Sequence, residues 1–319
     1  MKKIIISLFI FICGLFILSS CNKNDDTKII STSYAGYDFA RGVAKDNKKC
    51  GMLLNPGEEL HDYSPSINDI ERIINSEIFI YIGGESDSIW VEKQILPEID
   101  KSKTKVISMM DVISKKGNVY DEENPESSIS SESEDEEEEE LDEHVWNSIT
   151  NAKLIVEAIY EALIEIDITN MASYVYNKDV YIDSLNKVDT KIKDTISSSK
   201  KDLLIFADRF PLLYFVKEYN LKYDAAFKGC ETAHEANPKT IEALTKKVIE
   251  NDINVVFVIE LSESNIADTV IKTCKNDGKE VKKLVFYTMH NISKEDYANG
   301  LTYIDFMNKN VESLSEALN

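Results

Sequence analysis

Eight apolar side chains, Met171, Tyr174, Val175, Val180, Ile182, Leu185, Val188 and Ile192, recur at helical spacing through residues 169–197. Twenty-nine residues of one helical pattern are long for a globular protein. At 1.5 Å per residue a helix over this stretch spans roughly 40 Å. It is either a connector between two bodies or two helices broken near Asn177, and the connector is the reading taken here. With 319 residues in all, each flank is long enough to carry its own core.

Both flanks repeat one theme. Before the helix, apolar runs at 28–33, 50–54, 77–82 and 105–109 read as strands, and 37–45, 66–75, 89–96 and 146–166 as helices. Ser66 stands three residues ahead of Asp69, the spacing of a capped helix start. After it, strands at 203–206, 223–227, 254–259 and 283–287 alternate with helices at 211–218, 238–251, 264–274 and 305–318. Such alternation implies an α/β fold: two lobes with mostly parallel short sheets flanked by helices, joined by one long backbone helix. The expected division is an N-terminal lobe over 28–166, a linking helix over 167–198 and a C-terminal lobe over 199–319.

Charge is unevenly placed. The formal net charge is −21, yet residues 121–143 hold fourteen acids and no lysine or arginine. Outside that window 36 basic side chains face 43 acidic ones, a formal charge of −7. This balance excludes nucleic acid as a partner, since its phosphates would be repelled, and favours attraction of cations. Glu136, Glu137, Glu138, Glu139, Glu140, Asp142 and Glu143 are therefore read as a cation-collecting loop, and the run ends on His144-Val145-Trp146.

The N-terminus sets the compartment. Lys2 and Lys3 precede a mostly apolar run over 4–18 and then Ser19-Ser20-Cys21, the layout of a signal peptide over 1–20. The run is short for a transmembrane helix. Leu18-Ser19-Ser20-Cys21 resembles the bacterial lipobox, in which the cysteine becomes the lipidated first residue. That resemblance makes Cys21 the lipidation site and 21–27 a tether, with the body outside the cytoplasmic membrane at the bacterial cell envelope. Cys13 falls in the signal, which leaves Cys50, Cys230 and Cys274 in the body. An odd number without CxxC spacing leaves room for one disulfide and argues against a cysteine-based zinc site, so buried free thiols are the default.

Four histidines, His61, His144, His234 and His290, fall in loops after strands or before a helix, where α/β folds place function. Neutral imidazole suits zinc and other borderline divalent ions, with carboxylates completing the shell. Enzyme signatures are absent: there is no GxSxG, P-loop or GxGxxG. His234-Glu235 is followed by Ala-Asn-Pro, which denies it the helical spacing of an HExxH site. No catalysis and no organic cofactor are expected.

Pro56-Gly57-Glu58-Glu59-Leu60-His61-Asp62-Tyr63-Ser64-Pro65-Ser66 resembles the first ligand segment of zinc/manganese ABC-transporter solute-binding lipoproteins, whose pattern is PG-x-x-x-H-x-Y-x-P-S. Asp142-Glu143-His144-Val145-Trp146 resembles their second ligand segment, D-P-H-V-W. Residues 284–300, with Ser293-Lys294-Glu295-Asp296, and Tyr303-Ile304-Asp305-Phe306-Met307 are similar to the last βα segment. There His290 matches a position that carries a carboxylate ligand in some members. The similarity covers about residues 28–318. It implies that His61, His144 and His290 hold a divalent metal in the cleft between lobes. Zinc is the first expectation and manganese the next, carried as cargo by a monomer and passed to an ABC permease.

One segment departs from the family. Its third ligand lies in an F-H-D-A-F-like strand end, and this chain reads Phe206-Ala207-Asp208-Arg209-Phe210. Alanine binds no metal. Replacements are Asp208, His234, Glu235 or Glu260, or water. Asp208 could instead pair with Arg209. A surface adhesin or structural lipoprotein that has lost metal binding is the alternative from another class. A metal-dependent envelope hydrolase, using Glu235 or Glu260, is a third.

Overall fold

The computed structural model describes residues 26–61, 63–128, 140–230, 237–262 and 264–319. The signal segment with Cys21, the acids Glu136, Glu137, Glu138 and Glu139, and both His234 and Glu235 lie outside the described residues.

Among those residues the chain builds two four-stranded sheets, each wholly parallel. The first contains β1 (Ile29–Ser31), β2 (Cys50–Met52), β3 (Ile78–Tyr81) and β4 (Lys105–Ser108), in the order β2-β1-β3-β4. The second contains β5 (Leu203–Phe206), β6 (Lys222–Ala225), β7 (Val255–Ile259) and β8 (Lys282–Phe286), in the order β6-β5-β7-β8. Central strands β1, β3, β5 and β7 are apolar and almost wholly buried, as sheets covered on both faces require.

Helices cover these sheets. In the first lobe they are α1 (Tyr34–Ala44), α2 (Ile67–Ile74), α3 (Ser88–Trp90, continued by a π turn), α4 (Met109–Ser114) and α5 (Ile149–Ile166). Then comes α6 (Met171–Ser198), 28 residues without a break at Asn177. The second lobe adds α7 (Leu213–Tyr219), α8 (Pro238–Glu250), α9 (Ile266–Asn276), α10 (Lys294–Ala298) and α11 (Tyr303–Ala317). Boundaries differ from the apolar pattern where a polar cap decides them. Ser33 accepts from the Gly36 N–H, so α1 begins at Tyr34, three residues before the expected start at Tyr37. Ser108 and Ser293 start α4 and α10, short helices whose apolar pattern is too brief to read.

The connector is bound on both sides. Tyr174, Tyr181, Leu185, Val188 and Ile192 form its buried stripe, and one continuous apolar cluster runs from Ile29 through that stripe to Leu318. Buried Asp38 on α1 accepts from Tyr181 Oη on α6 at 2.7 Å, from the Tyr303 N–H of α11 at 3.0 Å and from Arg41 Nε at 2.6 Å. Gly42 lets α1 come against α6 this closely, because a Cβ there would run into the Tyr181 ring. Trp146 sits fully buried at the seam: its Nε1 donates to Thr288 O at 2.8 Å, and its carbonyl accepts from Tyr303 Oη at 2.7 Å. Two sheets on one shared core suit small shifts between lobes better than wide hinge closure. Among the described residues no helix is long and apolar enough to cross a membrane.

Candidate metal centre

The loop after β2 turns at Asn55-Pro56-Gly57-Glu58, with Gly57 at φ +88°, a backbone that side chains other than glycine rarely adopt. Glu58 carboxylate oxygens accept from the Asn55 N–H and Nδ2, which closes the turn and presents His61 to the cleft. The loop also touches the other lobe. Asn291 Nδ2 donates to Asn55 O at 3.0 Å and to Glu58 O, and Arg209 pairs with Glu59 at 3.2 Å.

His144 enters from a different path. Asp121 and Leu141 form a short antiparallel bridge, in which the Glu122 N–H donates to Glu140 O and the Asp142 N–H to Tyr120 O. The chain then passes Glu143 and His144 into a 3₁₀ turn over Val145–Asn147, and Ser148 caps α5. Asp142 Oδ1 accepts the His144 N–H at 2.8 Å and lies 3.0 Å from Nδ1 of its ring. A carboxylate on Nδ1 fixes the tautomer and leaves Nε2 as a lone-pair donor for a metal.

His290 follows β8. The residue before it, buried Met289, takes φ +56°, and a left-handed backbone at a bulky residue is a strain that structures keep at functional positions. His144 and His290 rings meet with centroids 4.7 Å apart, His61 and His290 at 5.3 Å.

A fourth donor stands with them. Cys230, in the loop after β6, has Sγ 3.1 Å from His144 Nε2 and 3.7 Å from His290 Nδ1. One donor atom from each of His61, His144, Cys230 and His290 falls within 4.8 Å of all the others. Donors on a tetrahedral zinc ion, with bonds of about 2.0–2.3 Å, lie roughly 3.3–3.7 Å apart, so the four need to close by only a little. His61 Nε2 and His290 Nε2 are buried without a hydrogen-bond partner, a costly arrangement unless something else satisfies them.

The cleft holding this cluster has a volume of about 890 Å³ and is bordered by Gly84, Ser86, Glu122, Glu140 and Glu143. Burial would lower the His144 pKa, but Cys230 and Asp142 beside it hold it well above its ordinary value. Burial would raise the Cys230 thiol, and His144 and His61 pull it down instead. Burial, His144, His61 and Arg209 together push His290 well below the usual imidazole range. Burial would lower His61 as well, but Cys230 and Glu143 hold it above its ordinary value.

Among the sequence candidates, His61, His144 and His290 come together, and other carboxylates do not join them. Asp208 is consumed by backbone donors, accepting from the Arg209 N–H at 2.8 Å and the Ile259 N–H at 3.2 Å. Arg209 pairs across the cleft with Glu59. Glu260 accepts from the Thr288 N–H and Oγ1, both at 2.7 Å. Ala207 is fully buried among apolar side chains of the second lobe.

Two acids assigned to the cation-collecting loop need correcting. Asp142 and Glu143 are buried, not solvated. Asp142 orients His144. Glu143 accepts from the Ser86 N–H at 2.9 Å and from Ser86 Oγ, and holds Oε1 3.9 Å from His61 Nε2 and 4.0 Å from His290 Nε2. Gly84 makes room for it, since a Cβ there would strike the Glu143 side chain. Glu140 alone of the described members of that group is exposed, at the cleft mouth. Cys230 was missed because cysteines were weighed by their spacing to one another. Its place in a loop after a strand, a few residues before His234, was the available signal.

Two parallel-sheet lobes on one linking helix, with three imidazoles and a thiol converging between them, define a metal-binding solute-binding protein rather than an enzyme. The chain belongs to the family described as zinc-uptake complex component A, periplasmic, whose family model matches residues 29–317. It is 26% identical over 322 residues to the high-affinity zinc uptake system protein ZnuA of Bacillus subtilis (strain 168), covering 96% of this chain and 97% of that protein. Against the zinc-binding lipoprotein AdcA of Streptococcus pneumoniae (strain R6) it is 28% identical over 320 residues, covering 99% of this chain but 61% of AdcA. It therefore spans less than two thirds of that longer relative. The Zn(II)-bound ZnuA-like domain of S. pneumoniae AdcA superposes with a TM-score of 0.70 at 25% identity, covering 92% of this chain and 99% of the domain. The periplasmic zinc binding protein TroA from Treponema pallidum shares the fold, with a TM-score of 0.70 at 18% identity.

Proposed function

We propose that this protein captures zinc outside the cytoplasmic membrane as a single chain, held at the envelope by a lipid on Cys21, and hands the ion to an ABC permease for import. The observation that carries the reading is the meeting of His61 and His144 from one lobe with His290 from the other, where two buried imidazole nitrogens have no protein partner. Nitrogen donors of this kind favour zinc over manganese, which prefers carboxylate, carbonyl and water oxygens. The relatives support the same reading, since ZnuA is named a zinc uptake system protein and AdcA a zinc-binding lipoprotein.

The acidic loop has a separate part in it. Glu122 and Glu140, at its two feet, border the cleft, so the carboxylates between them would raise the local concentration of divalent cations at the entrance. They act on supply and leave the bound state alone.

Elemental analysis of protein purified after growth in defined zinc and manganese tests the proposal. One zinc per chain is expected, lost in the His61→Ala/His144→Ala double variant. A wild-type protein that holds no stoichiometric metal, or a double variant that keeps it, defeats the reading and returns the chain to the adhesin alternative.

A further inference from the structure

We infer that Cys230 binds the cargo ion directly as a thiolate, closing a tetrahedral shell of three imidazoles and one sulfur. This rests on the zinc-capture reading and names the fourth donor at that site. Four observations meet on it. The Cys230 sulfur lies within reach of the same point as three imidazoles drawn from both lobes. His290, buried, holds Nδ1 3.7 Å from the Cys230 sulfur and carries an Nε2 without any hydrogen-bond partner. Cys230 is a free cysteine, as are Cys50 and Cys274, so no disulfide competes for it. Finally, among the described residues the carboxylates that could replace it are already engaged: Asp208 and Glu260 by backbone N–H groups, and Glu143 by Ser86.

Binding displaces one proton from the His144–Cys230 pair, 3.1 Å apart, as the metal–sulfur bond forms. That proton leaves to water, the sulfur lone pair becomes the ligand, and no electron changes hands. Three uncharged imidazoles and one thiolate leave a divalent ion with a net charge of +1, with the Glu143 carboxylate beside it as a counter-charge. A soft donor has a consequence for selection. Thiolate favours zinc and softer ions such as cadmium, while manganese gains little from it. Ala207 is then no sign of lost function. The donor has moved from the end of the first strand of this lobe to the loop after its second.

Cobalt(II) used as a spectroscopic substitute tests this on the reduced full-length protein. Wild type should bind one cobalt per chain with a sulfur-to-cobalt charge-transfer band in the near ultraviolet. The Cys230→Ser variant should keep cobalt on its histidines, lose that band, and lose more affinity for cadmium than for manganese. Because the variant could misfold, alkylation of wild type is followed residue by residue by mass spectrometry. Stoichiometric zinc should protect Cys230 and leave the labelling of Cys50 and Cys274 unchanged. Wild type that binds one metal without the band, or with Cys230 still labelled at its metal-free rate, overturns the thiolate while leaving zinc capture standing. Wild type that binds neither zinc nor cobalt overturns both.

Discussion

In both lobes the second strand lies at one sheet edge and the fourth at the other, in the orders β2-β1-β3-β4 and β6-β5-β7-β8. Each lobe sends one donor from the loop after its second strand, His61 in the first and Cys230 in the second. Each sends another from the chain after its fourth, His144 in the first and His290 in the second. The same path gives two different half-sites. In the first lobe, His144 is clamped by Asp142 at 3.0 Å, and Glu143 and Ser86 fill the space beside His61. In the second, His290 has no carboxylate on either nitrogen within hydrogen-bond distance, and His144 itself lies 3.1 Å from the Cys230 sulfur. One lobe is built to hold its donors in place. The other contributes donors whose positions depend on what they meet, and a shared core keeps the two within reach.

That asymmetry breaks most visibly under single substitutions. Losing an outer-shell partner of a ligating histidine costs about 10–100-fold in metal affinity, so losing the histidine itself costs more. His144→Ala should therefore lower zinc affinity by more than about 100-fold, and His290→Ala by less than His144→Ala, when both are read by competition with a chromophoric chelator. Equal losses would mean that the lobes contribute equally and that the clamp on His144 adds nothing.

The next effect isolates the clamp. Asp142→Ala leaves all four donors in place and should cost roughly 10–100-fold. It should also change the pH profile. The folded protein holds His144 protonated to a pH well above the ordinary imidazole value, because Cys230 and Asp142 outweigh its burial. Metal and proton compete for that ring, so zinc affinity falls as pH drops through the raised pKa, by about tenfold per pH unit for each proton displaced. Removing Asp142 lowers the pKa, and the fall should begin at a lower pH. A profile that does not move would place the proton elsewhere.

How much of this was legible in the chain depends on what kind of signal each part carries. The sheets were readable because β-branched apolar runs such as Val255–Ile259 can hardly sit anywhere but a buried strand, and the linking helix because its apolar stripe, Met171 to Ile192, persists for about six turns of sequence. His61 and His144 were readable because the segments around them are distinctive in order and spacing. Cys230 carries no such frame: a thiol beside a histidine cluster becomes a donor only when β6 and β8 bring two loops together, and no local spacing encodes that. Asp142 and Glu143 were misplaced for the opposite reason. They end an acidic run, so composition grouped them with it, while Tyr214 Oη on Asp142 O at 2.9 Å and the Ser86 contacts to Glu143 draw them into the interior. Burial separates residues that charge alone cannot.

The smallest expected effect concerns Glu260, which the sequence left as a candidate ligand and whose contacts make it a strut of the second lobe. Burial pushes its pKa from 4.5 up to about 7, against the opposing hydrogen bonds from Thr288. The sign follows from that direction. Below pH 4.5 the carboxyl is neutral in both folded and unfolded chains and carries no penalty. As pH rises from 4.5 to about 7 the unfolded chain ionises first, so stability falls over that window, by on the order of 1–3 kcal/mol, and is level above it. Glu260→Gln keeps an oxygen for the Thr288 N–H and offers its amide to Thr288 Oγ1 without the charge. The variant should unfold at a higher temperature than wild type at pH 8, by roughly a few degrees, and match it at pH 4.5. Zinc stoichiometry and affinity should be unchanged. If zinc affinity drops instead, Glu260 reaches the ion, and the second lobe supplies a carboxylate that would make the two half-sites more alike than their contacts suggest.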